Sequence, residues 1–129
     1  MRSVRMLVAA LAVAGAVATT AAFRPVDGAP VVKVSKPFAG PKVNGGTVTM
    51  TVDAGKITLQ LSAEVADPKT PDPHWLVVDG KGRTYLLDRL TIKDDKFNRT
   101  ITVPSYVKDV ASVQIYCAWA VANLGEASF

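Results

Sequence analysis

A chain of 129 residues sets 15 Lys and Arg against 11 Asp and Glu, with a single histidine and a single cysteine. One imidazole and one thiol exclude multi-histidine metal sites, CxxC pairs and internal disulfides. Lysines scattered singly, with only Trp75 and Phe97 near them, leave no basic patch for nucleic acid, and the length suits one domain without room for a second.

The first predicted element is an export signal over residues 1–22. Arg2 and Arg5 form a basic start, residues 6–18 are apolar or small, and Thr20-Ala21-Ala22 supplies small side chains for cleavage. The run is Ala-rich and short of the roughly 20 strongly apolar residues of a bilayer span, so a cleaved signal is expected and no stable membrane span. Ser3 and Val4 separate the two arginines, which points to the general secretory route rather than a twin-arginine one. Cleavage near Phe23 removes two arginines and no acid, and the formal charge falls from +4 to +2. The expectation is a secreted or periplasmic protein of about 107 residues. With one cysteine, it must be held by burial rather than by a covalent staple.

Residues 23–46 read as an N-terminal tail and first strand: Pro and Gly flank Val31 to Val34, the only strand-like stretch among them. The β-sandwich core is predicted over residues 47–129. Val48, Met50 and Val52 alternate with threonines, Asp53-Ala54-Gly55-Lys56 is a four-residue connection, and Ile57, Leu59, Leu61, Ala63 and Val65 alternate with polar partners, which predicts a β-hairpin. Three prolines within residues 67–73 force an extended loop that delivers His74 to the next strand. A second hairpin is predicted from Trp75 to Val78 and Arg83 to Leu90, with Gly80 and Gly82 supplying positive φ in its turn.

Residues 91–96 are polar and turn-like, and Asp94-Asp95 reads as a solvated pair on that turn. Phe97, Arg99, Ile101 and Val103 alternate with Asn98, Thr100 and Thr102, one strand ended by Pro104, with the Asn98-Arg99-Thr100 sequon on its outward side. A long strand over residues 112–120 places Val113, Ile115, Cys117 and Trp119 on one face. Residues 124–129 are predicted as a final edge strand. About seven or eight short strands at this spacing, without helical periodicity, predict an all-β, immunoglobulin-like antiparallel β-sandwich. The hallmark disulfide of true immunoglobulin domains is absent.

Two segments resemble a known family. Asp67-Pro68-Lys69-Thr70-Pro71-Asp72-Pro73-His74-Trp75-Leu76 is similar to the HPMTPEHYI stretch of the iron domain in desulfoferrodoxin and neelaredoxin, the superoxide reductases. Residues 104–110, followed by Tyr116-Cys117-Ala118-Trp119-Ala120, resemble that family's final strand, which ends in YCNxHG. The resemblance implies an immunoglobulin-like sandwich and an iron site of four histidines and one cysteine thiolate. Carried over residue by residue, only His74 and Cys117 remain. The family's first loop histidine falls at Asp67, its last falls at Ala120, and Pro73 is an added residue before His74. Superoxide reduction by that site is therefore not expected.

A remodelled centre would have to draw on His74, Cys117 and Asp67 or Asp72. Such an N, S and O set would take a single transition metal, zinc or copper suiting it better than iron. The alternatives are an inert core thiol or an intermolecular link at Cys117 and a histidine at position 74 that caps backbone or packs beside Trp75. The carboxylate pairs imply no catalytic cleft, and no nucleophile elbow accompanies the lone histidine, so no catalytic residue is expected.

Three functions remain open on the sequence. The expected one is an exported non-catalytic binding or accessory domain without a cofactor, partnered by another exported protein, like the immunoglobulin-like scaffolding subunits that accompany sulfur-oxidation carriers. The others are a metal or redox protein using Cys117 and His74, and a purely structural envelope domain. Residues 118–129 replace the short ending that follows the cysteine in the resembled family, and would either close the vacated pocket or offer a docking strand.

Overall fold

The computed structural model describes residues 29–92 and 96–129. The expected export signal, the start of the tail and the Asp94-Asp95 pair lie outside them. The described residues form ten strands and no helix: β1 (Val31–Val34), β2 (Val48–Asp53), β3 (Lys56–Leu61), β4 (Pro73–Val78), β5 (Thr84–Arg89), β6 (Thr91–Ile92), β7 (Lys96–Phe97), β8 (Thr100–Thr102), β9 (Ser112–Cys117) and β10 (Ala122–Ser128). One sheet has the order β1-β2-β3-β8, a second the order β10-β9-β4-β5, and β6 pairs with β7. Every pairing is antiparallel.

Alternation explains the core. Val48 and Met50 of β2 and Ile57, Leu59 and Leu61 of β3 are buried, and Trp75 and Val77 of β4 with Val113, Ile115 and Cys117 of β9 are buried in the same cluster from the other sheet. Polar or half-exposed residues stand between them on β2, β3 and β9, and on β4 Leu76, between Trp75 and Val77, is buried outside the shared cluster, so each sheet turns one face to a shared interior. The all-β sandwich architecture expected of the sequence is the one found.

Several boundaries differ from expectation, each for a physical reason. Asp53 pairs with Lys56, so the β2–β3 connection is two residues rather than four. Ala54 (φ 51°) and Gly55 (φ 82°) both take left-handed backbone, the requirement of the tight turn whose twist matches a hairpin. Gly82 has positive φ as expected, but Gly80 does not. Instead, Gly80 N–H donates to Asp109 Oδ2 at 2.7 Å, and a Cβ at position 80 would lie 2.9 Å from that oxygen.

The single strand expected over residues 97–103 is broken at Asn98 and Arg99, because tertiary partners take the polar groups there. Asn98 N–H donates to the Leu90 carbonyl, the Trp75 indole N–H donates to the Asn98 carbonyl at 2.7 Å, and the Arg99 guanidinium donates to the carbonyls of Ser62 and Val65. The final edge strand is present and starts earlier, at Ala122. Its outer side is covered by residues 36–43, with Gly125 needed for the approach: a Cβ there would lie 2.5 Å from the Val43 carbonyl oxygen.

Candidate functional site

β9 ends at Cys117, not at Ala120, and this decides the geometry of the candidate site. Cys117 pairs with Pro73 on one side and with Ala122 on the other, so residues 118–121 form a tight turn between β9 and β10. Trp119 therefore does not share the inward face of Val113, Ile115 and Cys117; it is 75% exposed, and Val121 is 74% exposed. Val121 sits at φ 53°, a left-handed conformation that a β-branched residue adopts only under strain.

Beneath this turn lies the thiol. Cys117 is fully buried, and its Sγ accepts a hydrogen bond from Ala120 N–H at 3.4 Å. That bond pulls the thiol below its ordinary pKa, burial pushes the other way, and the N–H groups of Asp72 and Trp119 with the Thr70 hydroxyl add to the lowering. Thr70 Oγ1 is buried and makes no hydrogen bond of good geometry, so it acts on the sulfur as a nearby dipole rather than as a formed bond. Ala118 N–H donates to the Asp72 carbonyl at 2.9 Å, which ties the proline loop to the turn. Cys117 thus belongs to the core cluster and anchors the turn from below.

His74 points elsewhere. On β4 the inward positions are Pro73 and Trp75, both buried, and His74 lies between them, paired with half-buried Tyr116 on β9. Strand alternation therefore puts His74 and Cys117 on opposite faces of one sheet. His74 Nδ1 is 2.9 Å from the Leu87 carbonyl oxygen, and Nε2 is 3.1 Å from Asp72 Oδ1, a carboxylate that Arg89 Nε also approaches at 3.4 Å. Asp67 caps its own loop instead, accepting from Lys69 N–H at 2.8 Å. His74, Cys117 and Asp67 are not drawn into one cluster, and among the described residues no group of three or more His, Cys, Asp or Glu side chains is placed to hold a metal ion. These residues do not fit an iron site of four histidines and a cysteine.

A polar cluster that the sequence did not signal lies at the β4–β5 turn. Asp79 is buried and accepts from the N–H groups of Lys81 and Arg83, from Arg83 Nε at 2.8 Å and from the Tyr85 hydroxyl at 3.0 Å. Burial pushes this carboxyl up, but the hydrogen bonds from Arg83, Tyr85 and Lys81 together outweigh it and bring it from 3.8 to about 2. Every acceptor site has a partner, so the cluster locks a turn and offers no proton at neutral pH. A cleft of about 430 Å³ lies between the β2–β3 turn and the segment after β8, lined by Gly55, Lys56, Ile57, Val103, Pro104 and Ser105. Its lining holds no histidine, cysteine or carboxylate.

No family model, curated protein or solved structure matches this chain. The likeness to the superoxide reductases rests on the motif residues alone.

Proposed function

We propose that this protein is an exported, non-catalytic binding or accessory β-sandwich domain, related to superoxide-reductase iron domains, that docks on another exported protein through the turn of residues 118–121. The observation that carries the proposal is the exposed pair Trp119 and Val121 on a turn held by a buried anchor. Tryptophan dominates binding hot spots because it brings a large rigid surface at small entropic cost. With Trp119 three-quarters exposed, covering its remaining surface of about 150 Å² is worth about 3–4 kcal/mol. The strain at Val121 adds support, since left-handed non-glycine residues concentrate at functional sites.

The strand orders support the immunoglobulin-like part of the proposal. The order β10-β9-β4-β5 corresponds to strands G, F, C and C′ of an immunoglobulin variable domain, and β2-β3-β8 corresponds to strands A, B and E of its other sheet. The outward turn of Trp119 also agrees with a surface role for the residues that follow the cysteine, where the resembled family keeps its last metal ligand.

The test is photocrosslinking in the native compartment from a photoreactive analogue at position 119, followed by affinity measurement with the purified partner. Trp119→Ala is expected to weaken the complex at least about 30-fold. An unchanged affinity would refute the docking role. Elemental analysis of the natively purified protein separates the competing function: a stoichiometric transition metal lost in Cys117→Ala would favour a remodelled metal centre instead.

A further inference from the structure

The four edges of the two four-stranded sheets differ in what they leave unpaired. β10 is covered by residues 36–43: Lys36 N–H donates to the Ser128 carbonyl, Ala39 and Glu126 exchange bonds, and Lys42 and Val43 donate to the Leu124 carbonyl. β8 is three residues long, and β5 ends in the charged, exposed Asp88 and Arg89. β1 differs from all of these. Its four residues are exposed, Val31 at 55%, Val32 at 59% and Val34 at 62%, so the strand contributes no residue to the core. Among the described residues no strand lies beyond it.

The hydrogen-bond phase of β1 follows from its neighbour. Ser35 N–H donates to the Val48 carbonyl, and the register runs Val34 to Thr49, Lys33 to Met50, Val32 to Thr51 and Val31 to Val52. Bonded pairs alternate along an antiparallel ladder, so Lys33 and Val31 turn their backbone groups to β2, while Val32 and Val34 turn theirs outward. Their N–H and C=O groups form an unfilled ladder, the template on which an extended peptide adds a strand.

Charge selects the occupant. Residues 29–46 hold Lys33, Lys36 and Lys42 and no carboxylate, and none of these lysines is in an ion pair among the described residues. A second copy of β1 would bring Lys33 and Lys36 of both chains into one short ladder, like charge against like charge. We infer that β1 is an acceptor edge for an extended segment of another polypeptide in which acidic residues alternate with apolar ones. The exposed valines supply apolar contact on both faces of the added strand, the lysines supply attraction, and the backbone of Val32 and Val34 fixes the register. This edge belongs to the other sheet from the turn of residues 118–121 and does not depend on its role.

The test uses the full chain labelled with ¹⁵N and a blocked synthetic peptide of alternating valine and glutamate, with a valine and lysine peptide of the same length as comparison. The acidic peptide is expected to shift the amides of Val32 and Val34 and to slow their hydrogen exchange at least tenfold, whereas the basic peptide leaves both unchanged. Val32→Pro removes one outward N–H without touching the bonds to β2 and is expected to weaken binding at least tenfold. Lys33→Glu, at an exposed position that leaves the backbone unaltered, is expected to weaken it similarly. Undiminished binding by either variant, equal binding of the basic peptide, shifts confined to other strands, or self-association of the protein through β1 would each overturn the inference.

Discussion

Replacing Val121 by glycine should stabilise this protein, against the usual sign of a valine to glycine change. Val121 holds φ 53°, and an L residue in that region costs about 1–2 kcal/mol, a β-branched one no less. Glycine removes that cost and adds about 0.5–1 kcal/mol of backbone entropy lost on folding. Little packing is forfeited, because Val121 is already 74% exposed. The net expectation is a gain of about 0.5–1 kcal/mol, or about 2–8 °C in Tm for a domain of this size. Val121→Asn tolerates the same conformation without glycine's entropy and should gain about 1 kcal/mol, while Val121→Ile keeps the strain and should change nothing. Urea and thermal unfolding of the four proteins decide the matter. If the glycine and asparagine variants both unfold at or below the wild-type midpoint, the turn is not strained and the support it lends to a docking role disappears. If they are more stable and also bind the partner less tightly, the strain is retained for function.

Three further outcomes follow from the core and its polar inclusions. Trp75→Phe leaves a cavity and deprives the Asn98 carbonyl of its indole donor, and should cost about 2–3 kcal/mol in urea unfolding. Thr70→Val keeps the shape and removes a buried hydroxyl without a good partner, so it should stabilise by about 1 kcal/mol; a loss of similar size would mean that the hydroxyl is bonded in solution. Asp79 is held near 2 in the folded chain, below its ordinary 3.8. Its contribution is therefore fully present above pH 4 and fades as pH falls toward 2. The urea midpoints of wild type and Asp79→Asn should be well separated at pH 6 and converge by pH 2, and a gap that does not narrow would contradict the role of the ionised carboxylate.

Period-two alternation was enough to find β2, β3 and β9, because each carries large apolar side chains at every second position facing one interior, whereas β4, a continuous apolar run from Trp75 to Val78, was legible from the proline loop before it and the glycine turn after it. The same rule failed at Trp119, where it continued past the point at which the backbone turns. Nothing in Ala118 to Val121 resembles a turn signal, since the left-handed position is occupied by valine rather than glycine or asparagine. It failed again at Asn98 and Arg99, whose polar groups are claimed by residues far away in sequence, information that no local pattern contains. His74 and Cys117 were legible as the chemically notable pair. Their separation onto opposite faces was not, because it depends on the register between β4 and β9. The Asp79 cluster was hidden for a simpler reason: an aspartate beside glycines looks like any solvated turn until its four donors are in place.

Only two tryptophans occur in the chain, and the fold places Trp75 in the dry interior and Trp119 in water. Each is consequently a separate optical probe. Emission from the enclosed indole responds to loss of the tertiary structure, whereas the solvated one is open to collisional quenchers and becomes shielded when something settles on its turn. Trp119→Phe and Trp75→Phe isolate the two signals, so unfolding and complex formation can be followed in one cuvette without an attached dye.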